Sequence, residues 1–600
     1  MTDTSRFLIT TSDERSWDTE KPVLFLGEWC RLYNRESAWK SLDSEVCPEY
    51  GRNNNQQIKD FETIGVLYKK LVHELTQSLN SYHSVDHSER YWKILIGPWL
   101  YRFITILFNR WFTIKQAVEH FNINHTYLFD YSTDEIVPLD MMDFNYMHRT
   151  DEWNHVIYGM ILSEIKDIEC EKLESIKVSL KIKNENSKTQ TQKFKKYIIN
   201  NLEKLCSKLS KENDAFIISP YIPFKQHILL QLAFKQFPMV WHSHQSVVLS
   251  DKNISRKNIF LENKFHHGFV KFIREQIINQ MPTAYVEGYN ELQSHVDDLR
   301  WPKSPKVIFT ANSFESDEIF KSWAASKVEK GVPYVVGQHG TYYGMNKYDT
   351  AEYLEIETAD RFLTWGWEGS NKKYYPACAL TCVGDKDGGY DPSGGLLLVE
   401  LHVEHRDTPW DSSVHYKKYI NNQFEFVNNL KTSISNATTI RLYGGNDQID
   451  WGIEELWERE KSSIMIDDGT LKITKVISEN RLTVFSYNST GLLENLARNI
   501  PTIIFLDLDY YAFRKDVKQQ IDSLINAGIM FEDPVAAALK INEVWGDIYN
   551  WWNGIEVQNA RITFCDKFAR KIDNEIFQLK DALSSINLLN DNKTMNKALF

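Results

Sequence analysis

No run of about 20 apolar residues, the length a membrane span needs, occurs in this sequence; stretches such as 94–108 are interrupted by Pro98, Trp99 and Arg102. A surplus of basic residues is also missing. Lys and Arg number 69 against 81 Asp and Glu, a formal net charge of −12, so the basic stripe that marks a nucleic-acid binder is absent and no nucleic-acid partner is expected. Cysteine is sparse: seven residues, an odd number scattered from Cys30 to Cys565, which fits a reducing compartment and not a disulfide framework. Cys378 and Cys382 form a C-x3-C without the second pair that zinc needs, so no metal is expected. No G-x-G-x-x-G opens a helix after a first strand, which leaves a dinucleotide cofactor unsupported, and no cofactor is expected. Residues 1–5 show no basic region followed by an apolar stretch, so a cytoplasmic location is the expectation.

What is present is a folded α/β pattern. At 600 residues the chain exceeds what one core can hold, and 42% hydrophobic with 13% aromatic residues excludes a largely disordered protein. Short apolar runs bounded by turn signals recur at 7–11, 23–26, 215–219, 239–242, 307–310, 334–337 and 361–365, most of them far enough apart for a helix between. After VGDKDGGYDPSGG at 383–395, the densest cluster of turn formers, a second ladder begins at 396–401, 439–443, 482–486 and 502–506. The expected architecture is two Rossmann-like lobes, 1–385 and 386–600, the first carrying a mostly helical insertion at about 60–214 and the second ending in helices. The lysine-rich part of the insertion, 166–211, reads as an exposed helical arm with a flexible tip at 189–193. Its lysines offer a peripheral contact with an anionic membrane surface, while a solvated face is the simpler expectation.

Three segments carry chemistry. In LTVFSYNSTGLLENLARNIPTIIF (482–505) a buried strand runs into Asn488, and then Ser489, Thr490 and Gly491 open a helix. Hydroxyls beside unpaired backbone N–H groups, with a glycine that admits a ligand, make a phosphate-binding helix end. The alternative is an ordinary N-cap with Glu494 as a dipole partner. In YVVGQHGTYYG (334–344) a strand presents His339 beside Gly340 at the carboxyl edge of the sheet, where open α/β folds bind ligands. An imidazole there can take a proton from an acceptor hydroxyl or place charge near a leaving phosphate. In VLFLGEWCR (23–31) Glu28 stands at a strand end, either as a general base or as a helix cap. Arg441 could reach a donor phosphate or simply pair with a carboxylate. His242 and His244 lack a third metal ligand, D-L-D at 507–509 reads as a loop end, and Glu352, Glu355, Glu357 and Asp360 read as a solvated acidic face.

FLITTSDERSWDTEKPVLFLGEWC, HSERYWKILIGPWL from His87, GQHGTYYG with the downstream RFLTWGW, and YNSTGLLENLARNIPTIIF together resemble a family of transferases encoded in bacterial surface-carbohydrate gene clusters. A histidine-glycine pair ending a first-lobe strand and a Ser/Thr pair opening a second-lobe helix are similar to GT-B glycosyltransferases that use CMP-activated sugars and to CDP-glycerol transferases. The resemblance implies a metal-independent, GT-B-like transferase. Ser489 and Thr490 would hold the phosphate of a nucleotide-sugar donor, a CMP-linked nonulosonate or Kdo-type sugar, with Asn488, Gly491, Glu494, Arg441 and Gly340 around it. His339 and Glu28 would be catalytic, and the acceptor would be a surface glycan, lipid-linked glycan or protein at the cytoplasmic face of the inner membrane. The His-Pro pair that holds cytidine in many sialyltransferase-like enzymes is missing. A nonhydrolysing sugar-nucleotide epimerase, a CDP-polyol phosphotransferase and a noncatalytic glycan-binding protein are the competing readings.

Overall fold

The computed structural model describes residues 5–586 apart from 131–135, 166–167, 174–208, 243–255, 257–258, 260, 262–266, 386–387, 404, 407, 411–414, 443–450 and 468. The expected tip at 189–193 and His244 lie outside the described residues. Those described form three wholly parallel sheets. The first holds β1 (Arg6–Ile9), β2 (Val23–Phe25), β3 (Ser44–Val46), β4 (Ile123–Phe129) and β5 (Glu169–Leu173) in the order β3-β2-β1-β4-β5. The second holds β6 (Phe216–Ile218), β7 (Ile308–Thr310), β8 (Tyr334–Gly337), β9 (Arg361–Thr364) and β10 (Tyr374–Pro376) in sequential order. The third holds β11 (Gly395–Val399), β12 (Thr438–Arg441), β13 (Met465–Asp467), β14 (Asn480–Phe485), β15 (Thr502–Phe505) and β16 (Met530–Phe531) in the order β13-β12-β11-β14-β15-β16.

The expected α/β class is therefore present, and the first ladder divides between two sheets. The reason lies in β4 and β5, inside the stretch expected to be mostly helical, which pair beside β1 and complete a separate sheet. Their signal is weak. β4 reads INHTYLF and β5 reads ECEKL, an edge strand with no buried residue, and edge strands tolerate the charges that erase an apolar pattern. Residues 239–242, expected as a strand, are irregular. The boundary expected near 385 falls between β10 and β11.

Two long helices dominate the rest of 60–214. Asn53 caps Asn54–His83 by accepting from the Asn55 and Gln56 N–H groups, and Ser84 ends it in the left-handed region at φ 55°. Ser88 then caps Glu89–His120 through the Tyr91 N–H. This second helix is apolar nearly all round, as a helix without a water-facing side must be. Taking the part of the chain around each sheet as a unit, it packs on Asn54–His83 and Asp151–Ile165 from the first unit, and on Phe269–Gln280, Glu318–Glu329 and Thr350–Thr358 from the second. Among the described residues no helix is long and apolar enough to cross a membrane.

The last described helices return to the middle of the molecule. Helix Ile555–Phe568 packs against Thr490–Ala497 of the third unit. The Arg570 N–H then donates to Trp365 O and its carbonyl accepts from Ala379 N–H, both at 2.9 Å. Helix Glu575–Ser584 finishes against Phe224–Ala233 of the second unit.

At the end of β11, Glu400 is fully buried. Trp457 Nε1–H donates to its carboxylate at 3.1 Å, and burial pushes the acid up to about 8. Between the usual 4.5 and about 8 the unfolded chain has lost this proton while the folded chain keeps it. This group's contribution to stability thus falls by about 1.4 kcal/mol per pH unit as pH rises through that window. Glu400→Gln, which keeps an acceptor for Trp457, is expected to match the wild type in urea unfolding near the lower bound and to exceed it increasingly toward the upper one. An unchanged difference across that window would refute the assignment.

Candidate functional site

The site begins where β8 ends. Gln338 is buried and clamps the chain: its amide donates to Gly340 O at 2.8 Å, and its Oε1 accepts from Trp365 N–H at 2.9 Å and Trp367 Nε1–H at 2.8 Å. Trp365 Nε1–H also donates to Gln338 O at 2.9 Å. The two tryptophans of RFLTWGW thus fix the backbone on either side of His339. Rigid support of this kind is what a loop residue needs in order to hold one orientation.

His339 Nδ1 lies 3.0 Å from the Tyr343 hydroxyl, which donates to Glu355 Oε1 at 2.6 Å. A phenol has one proton, and here it goes to Glu355 Oε1, which accepts with the acid's own proton on Oε2. The Tyr343 oxygen therefore accepts from His339 Nδ1–H, and the lone pair is left on Nε2. Burial holds the His339 imidazole below its ordinary value of 6.5, with Glu315 pulling the other way. Glu355 is wholly buried, its acid pushed well above the carboxylate range by desolvation, and its Oε2 has no protein partner.

This corrects the reading of the acidic segment as solvated. Asp349 caps helix Thr350–Thr358, whose buried face carries Glu352 and Glu355. Glu352 accepts from Gly344 N–H at 2.8 Å and from Arg514 at 2.7 Å, and Asp360 pairs with Arg90 at 2.9 Å. Periodicity could have shown the shared face of 352 and 355; what no sequence signal shows is that the facing elements supply a tyrosine and an arginine. Tyr343, Glu355, Gln338 and Thr341 were all missed for that reason.

The second half of the site is the end of β14. The third sheet has the doubly wound order, with its switch point between β11 and β14, the place where such sheets bind ligands. Ser489 is the N-cap of helix Thr490–Ala497, its hydroxyl oxygen accepting from Leu492 N–H at 3.0 Å. The N–H groups of Thr490 and Gly491, at the first two helical positions, have no carbonyl four residues back within the helix and add to its positive end. A Cβ at Gly491 would stand 3.1 Å from the Phe485 ring, so this glycine serves close packing on β14.

The structure brings the two halves together. Thr341 N–H donates to Thr490 Oγ1 at 3.3 Å, and Thr341 Oγ1–H donates to Asn488 Oδ1 at 2.8 Å. A Cβ at Gly340 would sit 3.0 Å from Thr490 Oγ1, so a glycine lets the loop pass this closely without displacing that side chain. His339, Gly340, Asn488, Ser489, Thr490 and Gly491 thus share one junction between the second and third sheets.

The remaining candidates stand apart. Glu494 accepts from Arg498 at 3.0 Å, and Arg441 is held by Asp467 at 2.6 Å and by the carbonyls of Gly469 and Leu471. Glu28 pairs with Arg31 in a single 3-10 turn at the edge of the first sheet. Asp507 pairs with Lys418. Among the described residues no group of three or more His, Cys, Asp or Glu could hold a metal ion.

A sequence profile of the LIC12162 family of transferases matches residues 6–583, so the chain belongs to that family and is a transferase. No curated protein matches it. Among solved structures, the wall teichoic acid polymerase TagF with CDPG is 10% identical at a TM-score of 0.32, over 66% of this chain and 97% of that one. MnaA of S. aureus with UDP is 11% identical at 0.34, over 60% and 94%, and Medicago truncatula UGT71G1 with UDP-glucose is 10% identical at 0.32, over 62% and 99%. At such identity and superposition these resemblances say nothing of this chain's substrate.

The hydrogen-bond chain makes His339 the Nδ1–H tautomer, neutral at and above its ordinary 6.5. Histidine 15N NMR, assigned by difference with His339→Gln, is expected to show a protonated Nδ1 and a bare Nε2, and Tyr343→Phe to release that tautomer. A protonated Nε2 in the wild type would refute the relay.

Proposed function

We propose that this LIC12162 family transferase moves a sugar or sugar-like group from a nucleotide-activated donor to a hydroxyl of a surface glycan, lipid-linked glycan or protein acceptor. The observation that carries this reading is the junction itself: Thr341 ties the His339 loop to Asn488 and Thr490 at a helix N-terminus. The helix end would hold donor phosphate through the Thr490 and Gly491 N–H groups and the Ser489 hydroxyl, whose proton remains free to point outward while its oxygen caps Leu492. Charge developing on the leaving phosphate meets fixed dipoles, which lowers the barrier without reorganisation.

His339 Nε2, with its lone pair exposed by the relay through Tyr343 and Glu355, would accept the proton of the attacking hydroxyl. Tyr343 and Glu355 are then positioning residues. In this reading the charge of the leaving group is met by the helix end and requires no bound metal. The donor is read as a CMP-linked acidic sugar of the nonulosonate or Kdo type, and the acceptor as one presented at the cytoplasmic face of the inner membrane. Glu28, paired with Arg31, is not given a role in the step.

Thermal unfolding in the presence of CMP, CDP, UDP or GDP is expected to show a saturable rise with one of them, because a ligand that binds only the folded chain stabilises it. Ser489→Ala, which removes the hydroxyl assigned to the phosphate, should weaken that rise. His339→Gln should keep it while lowering transfer by about 100-fold or more. No rise with any nucleotide would sink the donor site, and full transfer by His339→Gln would sink the base.

A further inference from the structure

Beside the His339 loop lies a cavity of about 240 Å³. Its wall includes His339, Arg102 of helix Glu89–His120, Asn346 and Thr350, and none of residues 488–491. By the share of liquid volume that one water takes, it has room for about eight waters, the scale of one sugar ring. Asn346 is 5% exposed and its Oδ1 has no hydrogen-bond partner; Thr350 Oγ1 is likewise buried and unpartnered. Unsatisfied groups of this kind are costly unless something completes them.

The backbone beneath them is rigid. Asn346 N–H donates to Tyr342 O at 3.1 Å and its carbonyl accepts from Arg514 at 2.7 Å, so its side-chain oxygen is not used to hold the turn. Two aromatic residues of the wall are pinned to one glutamine: the Tyr348 hydroxyl donates to Gln57 Oε1, and Trp410 Nε1–H donates to Gln57 O at 3.1 Å. Fixed aromatic surface beside neutral hydrogen-bonding groups suits the mixed apolar and hydroxylated faces of a sugar. The charges on the wall disfavour an acid: Arg102 lies 3.7 Å from Glu315, and Asp349 adds a second carboxyl.

We infer that this cavity holds the terminal ring of the acceptor, an uncharged pyranose, with Asn346 and Thr350 bonded to its hydroxyls and the attacking hydroxyl turned toward His339. The inference rests on the transferase reading above and adds the acceptor's class. His339 lines this cavity, while Thr341, two residues along the same loop, touches Asn488 and Thr490 at the phosphate helix.

Saturation-transfer NMR with neutral methyl pyranosides of glucose, galactose, mannose and N-acetylglucosamine, and with methyl glucuronoside as the acidic counterpart, tests it. At least one neutral glycoside should bind in preference to the acid. Thr350→Val, which keeps the side-chain shape, and Asn346→Ala should each weaken it by about tenfold, the worth of one hydrogen bond, and both should keep the wild-type nucleotide thermal shift. Absence of transfer to every neutral glycoside, or stronger binding of the glucuronoside, or unchanged binding by both variants, overturns the cavity assignment even if nucleotides bind. A glycoside signal without any nucleotide shift leaves the cavity standing and removes the donor site instead.

Discussion

The first two units are arranged around the burial of helix Glu89–His120. It packs on elements of the first and second units at once, and its buried residues include Trp92, Trp99, Phe103 and Arg110. A charge enclosed in such a helix needs partners. Arg110 finds them in Asn154 at 2.9 Å, Asn109 at 2.7 Å and the carbonyl of Arg406 at 2.7 Å, and Arg406 in turn pairs with Asp151, which accepts from Ser12. One buried network thus joins the edge of the first sheet, the central helix and a loop of the third unit. Removing a single member would strand the others in a medium without water.

That arrangement also explains why the sequence yields its strands more readily than their grouping. The ends of β8 and β14 are marked by apolar runs closing on glycine or on a Ser/Thr pair, and both were legible because a buried parallel strand has a continuous apolar signature. The division of the first ladder was not, since it depends on β4 and β5, whose polar and charged residues give no period-2 alternation. The two residues that orient His339 were hidden differently. Glu355 sits in a run of acids whose composition suggests solvent; its actual environment is set by a helix-to-loop contact across 12 positions of sequence, and nothing local reports it.

Arg441, Glu494 and Glu28 are a different case. Each is a charged residue near a strand or helix end, and each spends its charge on a neighbour: Asp467, Arg498 and Arg31 respectively. Residue type and position at a sheet edge identify where a ligand could lie, but only the partner inventory separates a group that is available from one that is occupied. By that criterion the Thr490 and Gly491 N–H groups, the His339 Nε2, the Asn346 Oδ1 and the Thr350 Oγ1 are among the groups near the junction with no partner inside the protein.

The return of the last described helices has a consequence for how this protein could diversify. Because the third unit begins at β11 yet its last helices cross back through Arg570 to lie on the second, it has two seams with its neighbour and not one. Exchanging it between relatives as a simple C-terminal cassette would leave Glu575–Ser584 foreign to the surface it covers. A workable graft has to be an internal swap, cut near 390 and again near 569, so recombination between lineages would favour inheriting the second unit and the final helix together.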